Sequence, residues 1–199
     1  MTPLPLTVDI EGREAVVVGG GPVAERRVRT LLEARANLTV VSPELTSSLK
    51  EMDIIWKRKT FDHGDLENAF LVVAATGDDR VDQEVKRAGG DVPLLNVAGH
   101  REVGNIQFPA SLTRGRLSIA VTTGGASPAL ASSLRNSIEE GFDEDYASYV
   151  DFLYRCRVEI TATSWTDGKK KEVLRELLDD KYKNKQEQER IIAWLEEMK

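Results

Sequence analysis

Cysteine is almost missing from this chain: among 199 residues only Cys156 is one. That excludes an intrachain disulfide and a cysteine-built metal cage, and it leaves Cys156 to be read as a small residue on the inward face of a helix. Histidine is nearly as scarce, with His63 and His100 alone. No second histidine stands at ligand spacing from His63, so His63 reads as a loop residue and no metal site is expected. No apolar run approaches the ~20 residues that cross a bilayer, and no signal peptide precedes the first strand, so a cytoplasmic protein without a membrane partner is expected. An excess of basic charge is also lacking. With 27 Lys and Arg against 33 Asp and Glu the net charge is −6, which argues against a general nucleic-acid binder. An anionic ligand must then be held by local donors rather than by an overall field.

What is present centres on Gly19-Gly20-Gly21-Pro22-Val23-Ala24. The β-branched run Ala15 to Val18 precedes it, and Glu25 to Arg35 follows with Val28, Leu31 and Leu32 at helical spacing. Strand, glycine turn and helix in that order form the context of a dinucleotide fingerprint. Gly19 permits the tight turn, Gly21 lets backbone approach a pyrophosphate, and Ala24 keeps the helix close to the sheet. The helix start offers free N–H groups and a partial positive charge to the phosphates.

Further runs extend the pattern. Leu4 to Ile10 alternates and suits an edge strand or an extended segment. Leu38 to Val41, Ile54 to Trp56, Phe70 to Ala75 and Leu94 to Val97 read as strands, with a helix over Val81 to Ala88. The order implies a doubly wound parallel sheet with its ligand at the carboxyl edge. Ser42 stands where many such folds carry the acid that meets the adenosine ribose, followed by Pro43 and Glu44. No arginine is nearby for a 2′-phosphate, so NAD is favoured over NADP. Thr76 follows the fourth strand, where a cofactor contact and a structural role are equally open; the acids after it should cap the next helix. Asn105 to Phe108 and Leu117 to Val121 read as two antiparallel strands joined by the basic turn Thr113 to Arg116.

A second strand–glycine–helix junction follows at Thr122-Thr123-Gly124-Gly125-Ala126-Ser127-Pro128, with Ser127 as N-cap and a helix to about Glu140. It can hold an anion by the same backbone physics as the first, helped by hydroxyl groups. From Phe142 the sequence is helical, with apolar stripes at Tyr146, Tyr149, Val150, Leu153 and Tyr154, at Val173 to Leu178, and at Ile191 to Met198. Lys181 to Arg190 reads as a solvated surface.

Together Val17 to Arg26, Val40 to Pro43, Ala74 to Thr76, Asn96-Val97 and, above all, Ile119 to Ala131 with Arg135 resemble the siroheme synthase N-terminal family, that is, precorrin-2 dehydrogenases with or without ferrochelatase activity. The resemblance covers residues 1 to about 150 by motif and the tail by length and character. It implies a Rossmann-like NAD domain (1–112), a dimerisation and substrate region (113–144), a helical C-terminal domain (145–199) and a homodimer. The expected architecture is therefore α/β, a doubly wound parallel sheet with an antiparallel extension and a small helical domain. The implied reaction is NAD-dependent oxidation of precorrin-2 to sirohydrochlorin, on the way to siroheme and, in some organisms, cobalamin.

Matched to the family, Pro22-Val23 and Pro43-Glu44 take NAD-contacting positions, beside Gly19, Gly21, Ser42, Thr76 and Asn96. Ser127 matches a serine lining the tetrapyrrole site, which Thr122, Gly124 and Gly125 adjoin. Arg101, Arg114, Arg116 or Arg135 would anchor carboxylates of the substrate. One position departs: Gly99 stands where many members carry an aspartate. His100 is then the nearest candidate to accept a proton, and Glu102 the second. The same departure weakens a chelatase reading and points to a separate chelatase as partner. The alternatives are a bifunctional dehydrogenase–ferrochelatase and, outside enzymes, a nucleotide-sensing module.

Overall fold

The computed structural model describes residues 4–100 and 102–198, and the chain divides into two compact units at Phe108/Pro109. In the first unit five parallel strands, β1 (Glu14–Val18), β2 (Asn37–Val41), β3 (Ile55–Lys57), β4 (Leu71–Ala74) and β5 (Leu94–Val97), lie in the order β3-β2-β1-β4-β5. Val17 stands opposite Val40 on one side and Val73 on the other. The central strands β1 and β4 are near-continuous apolar runs because both faces of the sheet are covered there. Val17, Val40 and Val73 pack with Ala24, Val28 and Leu31 of α1 (Pro22–Glu33) and with Leu49 of α2 (Ser47–Lys50). Val16, Val18, Val72 and Val97 pack with Val85 of α3 (Asp79–Ala88). Asp78 caps α3, its carboxylate accepting from the Arg80 N–H at 2.9 Å.

Three local expectations change here, the first being the edge-strand reading of the lead-in. The lead-in pairs with no strand; its alternation leaves Leu4, Leu6 and Val8 exposed and Ile10 buried. Residues 105–108 are not a strand either. The Asn105 side-chain carbonyl accepts from the Leu95 N–H at 2.8 Å, and the Asn96 amide donates to the Ile106 carbonyl at 3.0 Å. Gly104 lies so near that a Cβ would sit 2.3 Å from the Leu95 carbonyl oxygen. The Leu95 carbonyl accepts from the backbone N–H groups of both Asn105 and Ile106, and side-chain amides take the Leu95 N–H and the Ile106 carbonyl, so no ladder continues. His63, expected in a loop, opens a short 3₁₀ helix (His63–Leu66) held by a capping box between Asp62 and Asp65.

In the second unit β6 (Ala110–Arg114) and β7 (Leu117–Val121) pair antiparallel as a two-stranded sheet of their own, with α4 (Pro128–Glu139) packed on it. The helices α5 (Asp145–Ala162), α6 (Asp167–Glu176) and α7 (Lys185–Glu197) follow. Their core is Tyr149, Phe152, Cys156, Ile160, Val173, Leu177, Tyr182 and Leu195. The buried face of α5 thus runs through Phe152, Cys156 and Ile160, whereas Tyr154 is exposed. Nor is Lys181 to Arg190 all surface. Tyr182, in a 3₁₀ turn over Asp180–Lys183, and Gln188 are both buried, and the Gln188 amide donates to the Tyr182 carbonyl at 2.8 Å.

Candidate active site

The carboxyl edge of the parallel sheet is where its loops gather, and the strand order reverses direction at β1, between β2 and β4. Ligands of open α/β sheets bind at such a switch point. The glycine turn leaves β1 here, and its three glycines do different work. Gly19 has φ +123°, and a Cβ on it would lie 2.2 Å from the Ala75 carbonyl oxygen, so it lets β1 and β4 end side by side. A Cβ on Gly20 would lie 1.9 Å from the Glu44 carbonyl oxygen, and the Gly20 carbonyl accepts from the Thr46 N–H at 3.0 Å. Gly20 therefore seats the loop after β2, a role the fingerprint spacing does not reveal. A Cβ on Gly21 would meet nothing within 4 Å.

Gly21 is the N-cap of α1, without a side-chain cap, and Pro22 fills the first helical position. Glu25 is the first residue whose N–H reaches back to the Gly21 carbonyl. The N–H groups of Val23 and Ala24 have no acceptor within the helix, as at any helix start. An open approach in front of unsatisfied donors fits a pyrophosphate. At the end of β2, Ser42 is buried and its hydroxyl donates to the Glu44 carbonyl at 2.7 Å, so its proton is committed to the turn. Pro43 and Glu44 are exposed beside it.

Thr76 is held rather than free. Its hydroxyl donates to the Asp82 carboxylate at 2.6 Å and accepts from the Asp78 N–H at 3.1 Å. Asp82 is buried, and the sequence offered no sign of it beyond its place in the helix. Asn96 is buried near the end of β5, and its Oδ1 has no hydrogen-bond partner. The Nε of Arg27 is likewise buried and unpartnered; its guanidinium lies 4.5 Å from the Phe108 ring centre, and burial pulls its pKa down.

After β5, Gly99 turns the chain with φ +85°. His100 Nε2 lies 3.0 Å from Asp79 Oδ1, and Nδ1 is 3.9 Å from Glu102 Oε1. Arg101 lies outside the described residues. Among the described residues no group of three or more His, Cys, Asp or Glu comes together as a metal site.

In the second unit the junction between β7 and α4 forms a second turn with free backbone. Gly124 and Gly125 both have positive φ, and a Cβ on Gly124 would meet nothing within 4 Å. Thr122 Oγ1 accepts from the Gly124 N–H at 3.2 Å, and Ser127 Oγ accepts from the Leu130 N–H at 3.1 Å. The hydroxyl protons of Thr122 and Ser127 are not used in these two bonds. Three of the arginines expected to anchor carboxylates, Arg114, Arg116 and Arg135, form ion pairs within this unit. Arg114 donates to the Phe142 carbonyl at 3.2 Å and to Glu139 at 2.9 Å. Arg116 pairs with Asp151 at 3.0 Å and lies 3.7 Å from the Tyr154 ring centre, while Arg135 pairs with Glu139. Acids of α4 and α5 have claimed them, which the positions of the arginines in the sequence did not disclose.

A dinucleotide-binding α/β unit joined to a helical unit with its own glycine cradle is the class these observations define. Residues 6–110 match the family described as putative NAD(P)-binding, residues 114–140 the sirohaem biosynthesis protein central region, and residues 146–191 the SirC C-terminal domain. A precorrin-2 dehydrogenase of Priestia megaterium is 39% identical over 180 residues, 88% of this chain and 89% of that one. A precorrin-2 dehydrogenase of Bacillus subtilis is 33% identical over 158 residues, 77% of this chain and 98% of that one. The solved structure of SirC, a precorrin-2 dehydrogenase, superposes with a TM-score of 0.82 at 36% identity, covering 98% of this chain and all of that one. The chain belongs to the precorrin-2 dehydrogenase family.

Proposed function

We infer that the chain oxidises precorrin-2 to sirohydrochlorin with NAD as acceptor. The observation that carries this is the match over nearly the whole length to precorrin-2 dehydrogenases, in a chain that keeps both glycine cradles. The pyrophosphate would lie on the N–H groups of Val23 and Ala24, in front of Gly21, with Gly19 and Pro22 shaping the turn. Glu44, exposed beside Pro43 after β2, would accept from a ribose hydroxyl and repel a 2′-phosphate, which favours NAD over NADP. Asn96 Oδ1 would accept from the carboxamide of the nicotinamide, and Thr76, with Asp82 behind it, borders the same edge. When bound, the nicotinamide supplies the hydride acceptor.

The substrate carries carboxylates around a flat ring. The turn at Thr122, Gly124, Gly125 and Ser127 would take one or more of them on backbone N–H groups and hydroxyl protons. Arg114 and Arg116, paired with Glu139 and Asp151, would reach substrate carboxylates only by exchanging those partners. With glycine at position 99, metal insertion falls to a separate chelatase. The protein acts as a homodimer in the cytoplasm; Leu130 and Leu134, half exposed on α4, supply apolar surface for the second copy.

The test is purified protein with precorrin-2 generated in situ, followed by absorbance. NAD-dependent appearance of sirohydrochlorin is expected, with weaker or no turnover on NADP and no metal insertion above the spontaneous rate with ferrous or cobalt ions. Nucleotide binding without oxidation would overturn the reading.

A further inference from the structure

Dehydrogenation of the macrocycle releases a proton as well as a hydride, and in the first unit an imidazole, that of His100, follows β5 at the carboxyl edge of the sheet. We propose that His100 Nδ1 accepts the proton and that Asp79 is the positioning residue that presents Nδ1 for the task. The proposal rests on the functional reading above.

The argument starts from the sheet. The loop that meets the ribose follows β2, on one side of β1, so the nicotinamide half of the crevice falls on the β4 and β5 side. His100 leaves β5 on that side. Its backbone is fixed at both ends of a turn: its N–H donates to the Val97 carbonyl at 3.2 Å, and its carbonyl accepts from the Val103 N–H at 3.0 Å. Asp79 is the first residue of α3 and arrives from β4, 21 positions earlier in the chain. Its Oδ1 lies 3.0 Å from Nε2. A carboxylate can only accept, so the shared proton sits on Nε2 and the lone pair of the neutral ring is left on Nδ1. Glu102 Oε1, at 3.9 Å, is too far to tie Nδ1 by a hydrogen bond. Asp78 and Arg80, which flank Asp79 in the chain, pair with each other at 3.4 Å. His100 is 36% exposed, which gives the proton a way out to water.

The step balances as follows. Carbon–hydrogen bond electrons leave the macrocycle with the hydride for the oxidised nicotinamide. The proton of a second C–H or N–H bond passes to Nδ1, and the electrons of that bond become the new double bond. The imidazolium then returns the proton to water, and the ring is neutral again.

With two histidines in the chain, both rings can be resolved by nitrogen NMR in the cofactor-free protein. His100 is expected as the Nε2–H tautomer, and Asp79→Ala should leave a mixture of tautomers. In turnover, His100→Ala and His100→Gln should lower kcat about a hundredfold with KM little changed, and Asp79→Ala about tenfold. Added imidazole should restore a measurable part of the rate to His100→Ala. His63→Ala should behave as wild type, and nucleotide affinity and melting temperature show that each variant is folded. If folded His100 variants keep kcat within about threefold, or if imidazole rescues nothing, the proposal is overturned while the functional reading stands. If the wild type binds NAD but oxidises no precorrin-2, the reading itself fails and the proposal with it.

Discussion

Gly20 and Gly21 are neighbours in sequence and opposites in physics. Behind Gly20 is backbone, the Glu44 carbonyl oxygen at 1.9 Å from a hypothetical Cβ; in front of Gly21 is open space. The two therefore separate folding from binding. Gly20→Ala must push the loop after β2 away, a change that should cost on the order of 1–3 kcal/mol and lower the melting temperature, as other overpacked sites do. Gly21→Val keeps an allowed backbone, with φ −89° and ψ −174°. It should cost about 1 kcal/mol or less in stability, the scale of a cap substitution, while removing NAD binding. Thermal melts and nucleotide titrations on the two variants check this; a Gly21→Val protein that still binds NAD would displace the pyrophosphate from this turn.

At the scale of the element, α5 shows how one helical face sets chemistry. Cys156 is fully buried on the face shared by Phe152 and Ile160, and burial pushes its thiol from the ordinary 9.0 up to about 11. Two outcomes follow from this one shift. The folded protein should resist thiol alkylation near neutral pH and react on unfolding, because the thiolate is the nucleophile. The unfolded thiol loses its proton first, so between about pH 9 and about 11 the folded state holds the extra proton. Stability from this group is intact below that window and falls as pH rises through it, by roughly 3 kcal/mol in all. Denaturant unfolding from neutral to alkaline pH should show the loss, and Cys156→Ala should reduce it.

For the whole molecule, the apolar residues on α4 carry the prediction. Leu130 is 50% and Leu134 45% exposed, on a helix whose buried residue is Ala131. If a second copy covers this face, wild type should sediment at twice the chain mass and Leu134→Glu at the mass of one chain, since a charge in an apolar interface is left unpaired. A wild type that sediments as a single chain at micromolar concentration would remove the dimer.

The sequence by itself determined what depends on near neighbours. Valine runs became buried strands, Gly19 to Ala24 became a turn into a helix, and Ser127 with Pro128 capped α4, because alternation, φ preference and capping act over a few residues. Motif likeness, which adds together many such local choices, was enough to reach the family. Where side chains met partners remote in sequence, only the tertiary structure decided. Asn105 bonds back to Leu95 and turns a would-be strand into a loop. Arg114 and Arg116 look free as letters, yet they are claimed by acids 25 and 35 positions away. His100 meets Asp79, 21 positions earlier, across separate elements. Periodicity states which face of an element is inward; it carries no information about which distant charge or amide will stand opposite. That pairing is a property of the folded chain, where the loops of one sheet edge are brought together.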